Sequence, residues 1–273
     1  MVGHMIAAYL QEQGQSVLGF ARNESPICPT CIGDVHDQEL LLQTLGSDHF
    51  DYVINCVGKL NSAVDRRLSE GIYLNSVLPH FLAEQLRTKK AKLIHISTDC
   101  VFAGTRGAYT EQDRPDAESY YGRSKALGEV VDDKNLTIRT SLVGPELKPD
   151  GVGLFHWFMS SKEDITGFDC VIWSGVTTLQ LAKAILRDAE KPLTGLCHLV
   201  NNETISKYEL LMLFNRYCRG GQIPIRRVCI PQCDKSLRNA DPSIQLPGYE
   251  HMVAEMAEWI RAHPNLYQQY DMA

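Results

Sequence analysis

The sequence predicts an α/β protein built on a parallel sheet, and three observations carry that expectation. Asp51-Tyr52-Val53-Ile54-Asn55-Cys56-Val57-Gly58 is an apolar run without alternation, the pattern of a strand buried on both faces. Leu93-Ile94-His95-Ile96 is a second apolar strand, and it ends in Ser97-Thr98-Asp99. A polar loop from Gly104 to Ser119 then leads into an amphipathic helix carrying Tyr121-Gly122-Arg123-Ser124-Lys125. With 273 residues, 44% hydrophobic and 22% charged, the chain suffices for one large domain or a large and a small one.

Tyr121 and Lys125 are four positions apart, so on a helix they share a face and the ammonium comes within reach of the phenol. A free tyrosine titrates at about 10 and a lysine at about 10.4. A neighbouring cation favours the phenolate and lets the tyrosine exchange a proton near neutral pH. Thr98, at its strand end, offers a hydroxyl to the same spot, so a carbonyl oxygen fits between Thr98 and Tyr121. Tyr120 competes, but its spacing to a lysine is wrong.

Strand, Ser-Thr-Asp, polar loop and Tyr-x-x-x-Lys helix, in this order, resemble the extended short-chain dehydrogenase/reductase family. Ser97-Thr98-Asp99-Cys100-Val101-Phe102-Ala103-Gly104 and Tyr121-Gly122-Arg123-Ser124-Lys125-Ala126-Leu127-Gly128-Glu129 resemble its dTDP-4-dehydrorhamnose reductase branch, and the likeness runs from Met1 to about the last twenty residues. The resemblance implies a Rossmann-like doubly wound parallel sheet with a smaller C-terminal substrate lobe. Residues 1–145 would form the dinucleotide-binding domain and 146–273 mainly the substrate lobe, with 177–200 returning to the sheet. It also implies an NADPH-dependent reductase of a 4-keto-6-deoxy sugar nucleotide, in nucleotide-sugar and cell-surface polysaccharide biosynthesis, with Thr98, Tyr121 and Lys125 catalytic.

Two other readings stay open. An epimerase or dehydratase keeps the fold, although a dehydratase commonly has an acidic pair after the threonine and here Cys100 follows Asp99. An NADP-binding regulatory subunit, like the beta subunit of methionine adenosyltransferase, can retain the same motif.

From the N-terminus, Met5 to about Gln13 reads as an amphipathic helix with Met5, Ile6, Tyr9 and Leu10 on its apolar face. The resembling family places a strand and a Gly-x-x-Gly-x-x-Gly turn before this helix, whose amides hold the pyrophosphate. Gly3 matches only the third glycine, so the first strand is expected to be missing, through an internal start or a truncated gene. Losing five or so buried apolar residues at about 1.5–3 kcal/mol each forfeits on the order of 10 kcal/mol. Whole domains have about 5–15 kcal/mol. Poor folding or poor cofactor binding is the resulting expectation.

Ser16-Val17-Leu18-Gly19-Phe20 reads as the next strand, followed by Ala21-Arg22-Asn23 with no acid until Glu24. An acid there would bond the adenosine ribose and repel a 2′-phosphate, whereas Arg22 attracts one, so NADP(H) is preferred and NAD(H) stays open. Gly33-Asp34-Val35 resembles the family's short third strand, with Asp34 and Val35 near the adenine. A helix from His36 through Leu45 follows. Asn55, Cys56, Val57 and Gly58 end a buried strand and should face the cofactor, since ligands bind at the carboxyl ends of parallel strands. Asn75 matches an asparagine the family places near the active site; a plain bond to neighbouring backbone explains it equally.

Leu136 to Ser141 and Leu196 to Val200 read as further strands. Trp157-Phe158-Met159 and Val171 to Val176 fall where the family builds its substrate lobe; a tryptophan there stacks on a base or, the favoured reading, packs in a core. Thr177-x-x-Gln180 and Ser206-x-x-Glu209 open helices as capping boxes. Asp234-Lys235-Ser236-Leu237 resembles a late segment of the family's lobe. The final helix, from about Glu250 to Ala262, stops before His263-Pro264.

A formal charge of −6 argues against nucleic acid or an anionic membrane as partner and leaves small anions open. No apolar run approaches a membrane span and no signal peptide is visible, so the cytoplasm is expected. Nine cysteines without an export signal read as reduced thiols, although Cys28, Cys31, Cys229 and Cys233 would be a zinc set if the fold joined them. Carboxylates show no ligand spacing, so no metal is expected. The partner expected is a sugar-nucleotide substrate, and a homodimer stays open.

Overall fold

The computed structural model describes residues 1–47 and 49–273. In chain order it begins with Val2–Glu12 (α1), Gly19–Ala21 (β1), Thr30–Ile32 (β2), Gln38–Ser47 (α2) and Tyr52–Asn55 (β3). Asn61–Arg66 (α3) and Leu68–Ile72 (α4) lead through a π-helical turn, Tyr73–Val77, into Leu78–Leu86 (α5) and Lys92–Ile96 (β4). A 3-10 turn at Asp99–Val101 precedes Tyr120–Leu127 (α6), Leu136–Arg139 (β5), Leu142–Val143 (β6) and Leu154–Ser160 (α7). Then come Ile165–Phe168 (β7), Val171–Trp173 (β8), Val176–Thr177 (β9), Thr178–Asp188 (α8) and Gly195–His198 (β10). The chain closes with Ile205–Ser206 (β11), Lys207–Cys218 (α9), Ile225–Val228 (β12), Cys233–Asp234 (β13) and Tyr249–Ala262 (α10).

The main sheet has four parallel strands in the order β10-β5-β4-β3. Consecutive residues of β4 point to opposite faces, and their surroundings show what covers each. Leu93 packs with Leu41 and Leu45 of α2 and Leu78, Leu82 and Leu86 of α5. Ile94 packs with Met5, Ile6 and Leu10 of α1 and Leu179 and Ile185 of α8. Helices therefore clothe both faces, which makes the fold the doubly wound α/β type expected. β1 and β2 pair in parallel as a separate two-stranded sheet.

The first two strands lie elsewhere than expected. The strand expected over 16–20 is Gly19–Ala21, and the one expected at 33–35 is Thr30–Ile32, with Gly33 donating to the Ala21 carbonyl just beyond it. Short strands carry little periodicity, and pairing with each other sets their limits. The first helix begins at Val2, so Gly3 sits inside its first turn.

The later half of the chain packs into the same core, where Phe155 and Phe158 of α7 meet Phe214 of α9, beside Met252, Met256 and Ile260 of α10. Trp173 is buried there, and Trp157 is 45% exposed. The segment around β13 stitches this half to the loop after the 3-10 turn. Asp234 N–H donates to the Gly104 carbonyl at 2.9 Å, Ala108 N–H to Ser236 Oγ at 2.8 Å, and Arg238 N–H to the Tyr109 carbonyl at 2.7 Å.

The cysteine expectation needs correction: Cys170 and Cys229 form a disulfide. Parallel pairing of β7 with β12 sets Phe168 opposite Val228, which delivers the two cysteines side by side just past the strand ends. Cys28, Cys31, Cys56, Cys100, Cys197, Cys218 and Cys233 are free. Among the described residues, no group of three or more His, Cys, Asp or Glu is placed to hold a metal, and no helix is long and apolar enough to cross a membrane.

Candidate active site

Thr98 leaves β4 in extended conformation and caps the 3-10 turn. Its hydroxyl oxygen accepts from Cys100 N–H at 3.1 Å and its proton goes to Asp99 Oδ1 at 3.0 Å. Helix α6 is capped by Ser119, which accepts from Gly122 N–H. A Cβ on Gly122 would collide with the Cys100 carbonyl and Ala117, so the glycine lets α6 lie directly on the turn. That approach carries the Tyr121 phenol, 9% exposed, to the Thr98 hydroxyl.

Burial, then the neighbouring Cys100 and Asp99, push the Tyr121 phenol well above its ordinary value, and only the Thr98 hydrogen bond pulls it down. The expected influence of Lys125 on the phenol is absent from this geometry. The Lys125 ammonium instead donates to the Ile96 carbonyl at 2.7 Å, at the end of β4. Burial lowers its pKa to about 8, against the opposing pull of Glu129 and Cys56. The helical spacing does put both residues on one side of α6, but a strand-end carbonyl captures the amine.

Several groups that hold the site were not singled out in the sequence. His95 is fully buried under Lys125, and burial and that lysine hold its pKa well below the ordinary value, so it is neutral. Asn55 Oδ1 accepts from Val57 N–H at 3.0 Å, which leaves its amide nitrogen, 3.2 Å away, to donate to His95 Nδ1. On the other side of the ring, Nε2 lies 3.4 Å from the Lys125 ammonium. A histidine inside an apolar strand was the available signal.

Glu129 and Arg139 form a buried two-pronged pair, with Nε to Oε1 and Nη2 to Oε2 both 2.7 Å, and Ser97 donates to the same carboxylate. This pair ties the exit of α6 to β5 and to the residue preceding Thr98. Asn75, in the π-helical turn, accepts from Lys59 N–H, donates to the Lys59 carbonyl and donates to Ser124 Oγ of α6. It bonds backbone and also joins the strand-end loop to the Tyr-Lys helix, a place where π-turns recur at functional sites.

Asn55, Cys56, Val57 and Gly58 run off the end of β3 beside Lys125 and Asn75. Gly3 lies against them, where an added Cβ would sit 3.6 Å from Cys56 Cβ. No side chain caps the N-terminus of α1, so its first amides keep donors for an anion. Arg22 and Asp34 are exposed at the ends of β1 and β2; His36 backbone and ring bonds hold the Asp34 carboxyl below its usual range, with Arg22 adding to the effect. The Val35 carbonyl accepts from Tyr73. This donor set, at the carboxyl ends of parallel strands, fits a phosphate-bearing dinucleotide.

The fold is an α/β protein of the doubly wound, Rossmann-like type. The chain belongs to the family described as RmlD substrate binding domain, whose model matches residues 1–228. A relative from Haloferax volcanii, described as a probable low-salt glycan biosynthesis reductase, is 34% identical over 151 residues, 52% of this chain and 50% of that one. A hypothetical dTDP-4-dehydrorhamnose reductase from Sulfolobus tokodaii superposes with a TM-score of 0.75 at 23% identity, over 91% of this chain and 95% of that chain. A dTDP-4-dehydrorhamnose reductase from Bacillus anthracis, solved with NADP, gives 0.74 at 18% identity, over 88% and 97%. At these identities the structural likeness shows the fold. The chain spans 46% to 64% of the length of the curated relatives it matches.

Proposed function

We propose that this protein reduces the carbonyl of a 4-keto-6-deoxy sugar nucleotide with NADPH. The observation that carries the reading is the meeting of Thr98 and Tyr121 at the end of β4, with Lys125 one helical turn along. Family membership and the reductase descriptions of the relatives support it. NADPH, held by the first amides of α1 with Gly3, by Asn55 to Gly58 and by Lys125, with Arg22 toward a 2′-phosphate and Asp34 and Val35 toward the adenine, supplies hydride when bound.

Tyr121 Oη gives its proton to the carbonyl oxygen as that oxygen becomes an alkoxide. Its raised pKa keeps the phenol protonated at neutral pH, which suits an acid. Thr98 turns its proton from Asp99 to the same oxygen, a donor aimed where charge develops. Lys125 leaves the Ile96 carbonyl for the cofactor ribose and adds positive charge beside the phenol. Asn75 keeps α6 in register with the Gly58 loop. Asp99 is occupied by Thr98 and the next residue is Cys100, so the acid pair of a dehydratase is incomplete, which favours reduction.

The test is NADPH consumption with dTDP- and UDP-linked 4-keto-6-deoxy sugars, with the product identified by NMR. A 4-hydroxy sugar formed in step with NADPH loss is the expected result. Absence of turnover across the panel would refute the reading.

A further inference from the structure

Lys207 is the first residue of α9, immediately after the Ser206 cap, and it is half-buried against the catalytic turn. Its ammonium stands 5.0 Å from the centre of the Trp173 ring. It feels the Asp99 carboxyl and the Cys100 thiol, yet among the described residues it makes no hydrogen bond or ion pair. Burial lowers its pKa to about 8, which marks a cation stripped of water without a full replacement. Trp173 is 3% exposed and its indole N–H is buried with no acceptor. Lys207 thus brings a cation with no hydrogen-bond acceptor beside the turn that carries Thr98.

An ammonium held over the face of an aromatic ring, with no acceptor of its own, calls for an acceptor-rich anion. A structural counterion role for Lys207 would bring it into contact with Asp99, and it stops short of that. We propose that Lys207, steadied over the Trp173 ring, is the anion seat of the substrate site, taking a phosphate oxygen of a nucleoside diphosphate whose sugar reaches Thr98 and Tyr121. This rests on the reductase reading for its substrate class and adds which side chains grip the diphosphate. The lysine contacts the phosphate equally before and during reaction, so it governs KM rather than kcat.

The experiment compares wild type with Lys207→Gln, Lys207→Arg and Trp173→Phe on the full chain. UDP, dTDP, uridine and thymidine are titrated by calorimetry, NADPH by fluorescence, and steady-state constants are taken with the best sugar nucleotide. Lys207→Gln is expected to weaken both diphosphates by about 10- to 100-fold, the range of one charge-assisted bond. Nucleoside and NADPH affinities stay unchanged, KM rises in proportion and kcat holds within about twofold, as expected for uniform binding. Lys207→Arg restores most of the affinity, and Trp173→Phe loses several-fold. Unchanged diphosphate affinity in Lys207→Gln, equal losses for nucleosides and diphosphates, or a loss confined to NADPH would each overturn the proposal. A shifted melting temperature with intact KM assigns Lys207 to Asp99 and also overturns it. Lys207-dependent diphosphate binding without turnover by wild type sinks the reductase reading and leaves the anion seat standing.

Discussion

Lys125 carries two opposed demands. An ammonium buried to 5% exposure destabilises the fold, and its pKa of about 8 against an ordinary 10.5 records that penalty. The sign follows from linkage: between those values the unfolded chain binds more protons than the folded one, so this group's contribution to stability rises with pH. Below about 8 both states hold the proton and the penalty is fully present. Lys125→Met is therefore expected to be more stable than wild type at pH 7, by on the order of 1–3 kcal/mol, with activity lost. Urea denaturation of the pair across pH 7 to 10 checks this, and the gap should narrow as pH rises. Cys56 and Tyr121, whose pKa values are raised, act in the opposite direction above their ordinary values in both proteins, so only the difference is informative. The placement of Thr98 at a strand end and of Tyr121 and Lys125 on one helix was legible because helical period and strand ends are local. It did not disclose where the Lys125 amine rests, because the Ile96 carbonyl reaches it only through packing of α6 on β4.

At the scale of elements, the packing of α6 is set by a glycine and an ion pair. Gly122 permits contact with the 3-10 turn, and Glu129 with Arg139 fixes the other end of the helix to β5. Arg139→Met strands a buried carboxylate and is expected to cost about 3–5 kcal/mol in chemical denaturation. Adding Glu129→Gln to Arg139→Met should recover part of that loss, since the buried charge is then gone. Turnover should fall in the single variant too, because Ser97 loses the anchored carboxylate next to Thr98. The capping box at Ser206-x-x-Glu209 was legible and is present in full, since both of its bonds are local. The Glu129 to Arg139 pair, the π-turn at Asn75 and the Cys170 to Cys229 bond were not, because each depends on segments brought together by sheet pairing or helix docking.

At the scale of the molecule, the parallel sheet gathers α1, β3, β4 and α6 at one crevice, and the segment around β13 brings the later half of the chain to its rim. A ligand that binds there only in the folded state stabilises the whole. NADPH at a hundredfold excess over its Kd should contribute about 2.7 kcal/mol, roughly 5–10 °C in melting temperature for a chain of this size. NADH at the same concentration should give less, because Arg22 has no 2′-phosphate to meet. Equal shifts from the two cofactors would remove Arg22 from the selectivity argument. The doubly wound class was readable from the apolar runs at β3 and β4, although β3 is a half-buried edge strand of the main sheet rather than one buried on both faces; the limits of β1 and β2 had to come from their mutual pairing.

The most direct test of the central claim is single-turnover reduction of a 4-keto-6-deoxy sugar nucleotide by wild type and Tyr121→Phe, with NADPH affinity measured on the same samples. Loss of the phenolic proton donor should slow the chemical step at least about a hundredfold and leave NADPH binding intact. A Tyr121→Phe protein that turns over at nearly the wild-type rate would contradict the account.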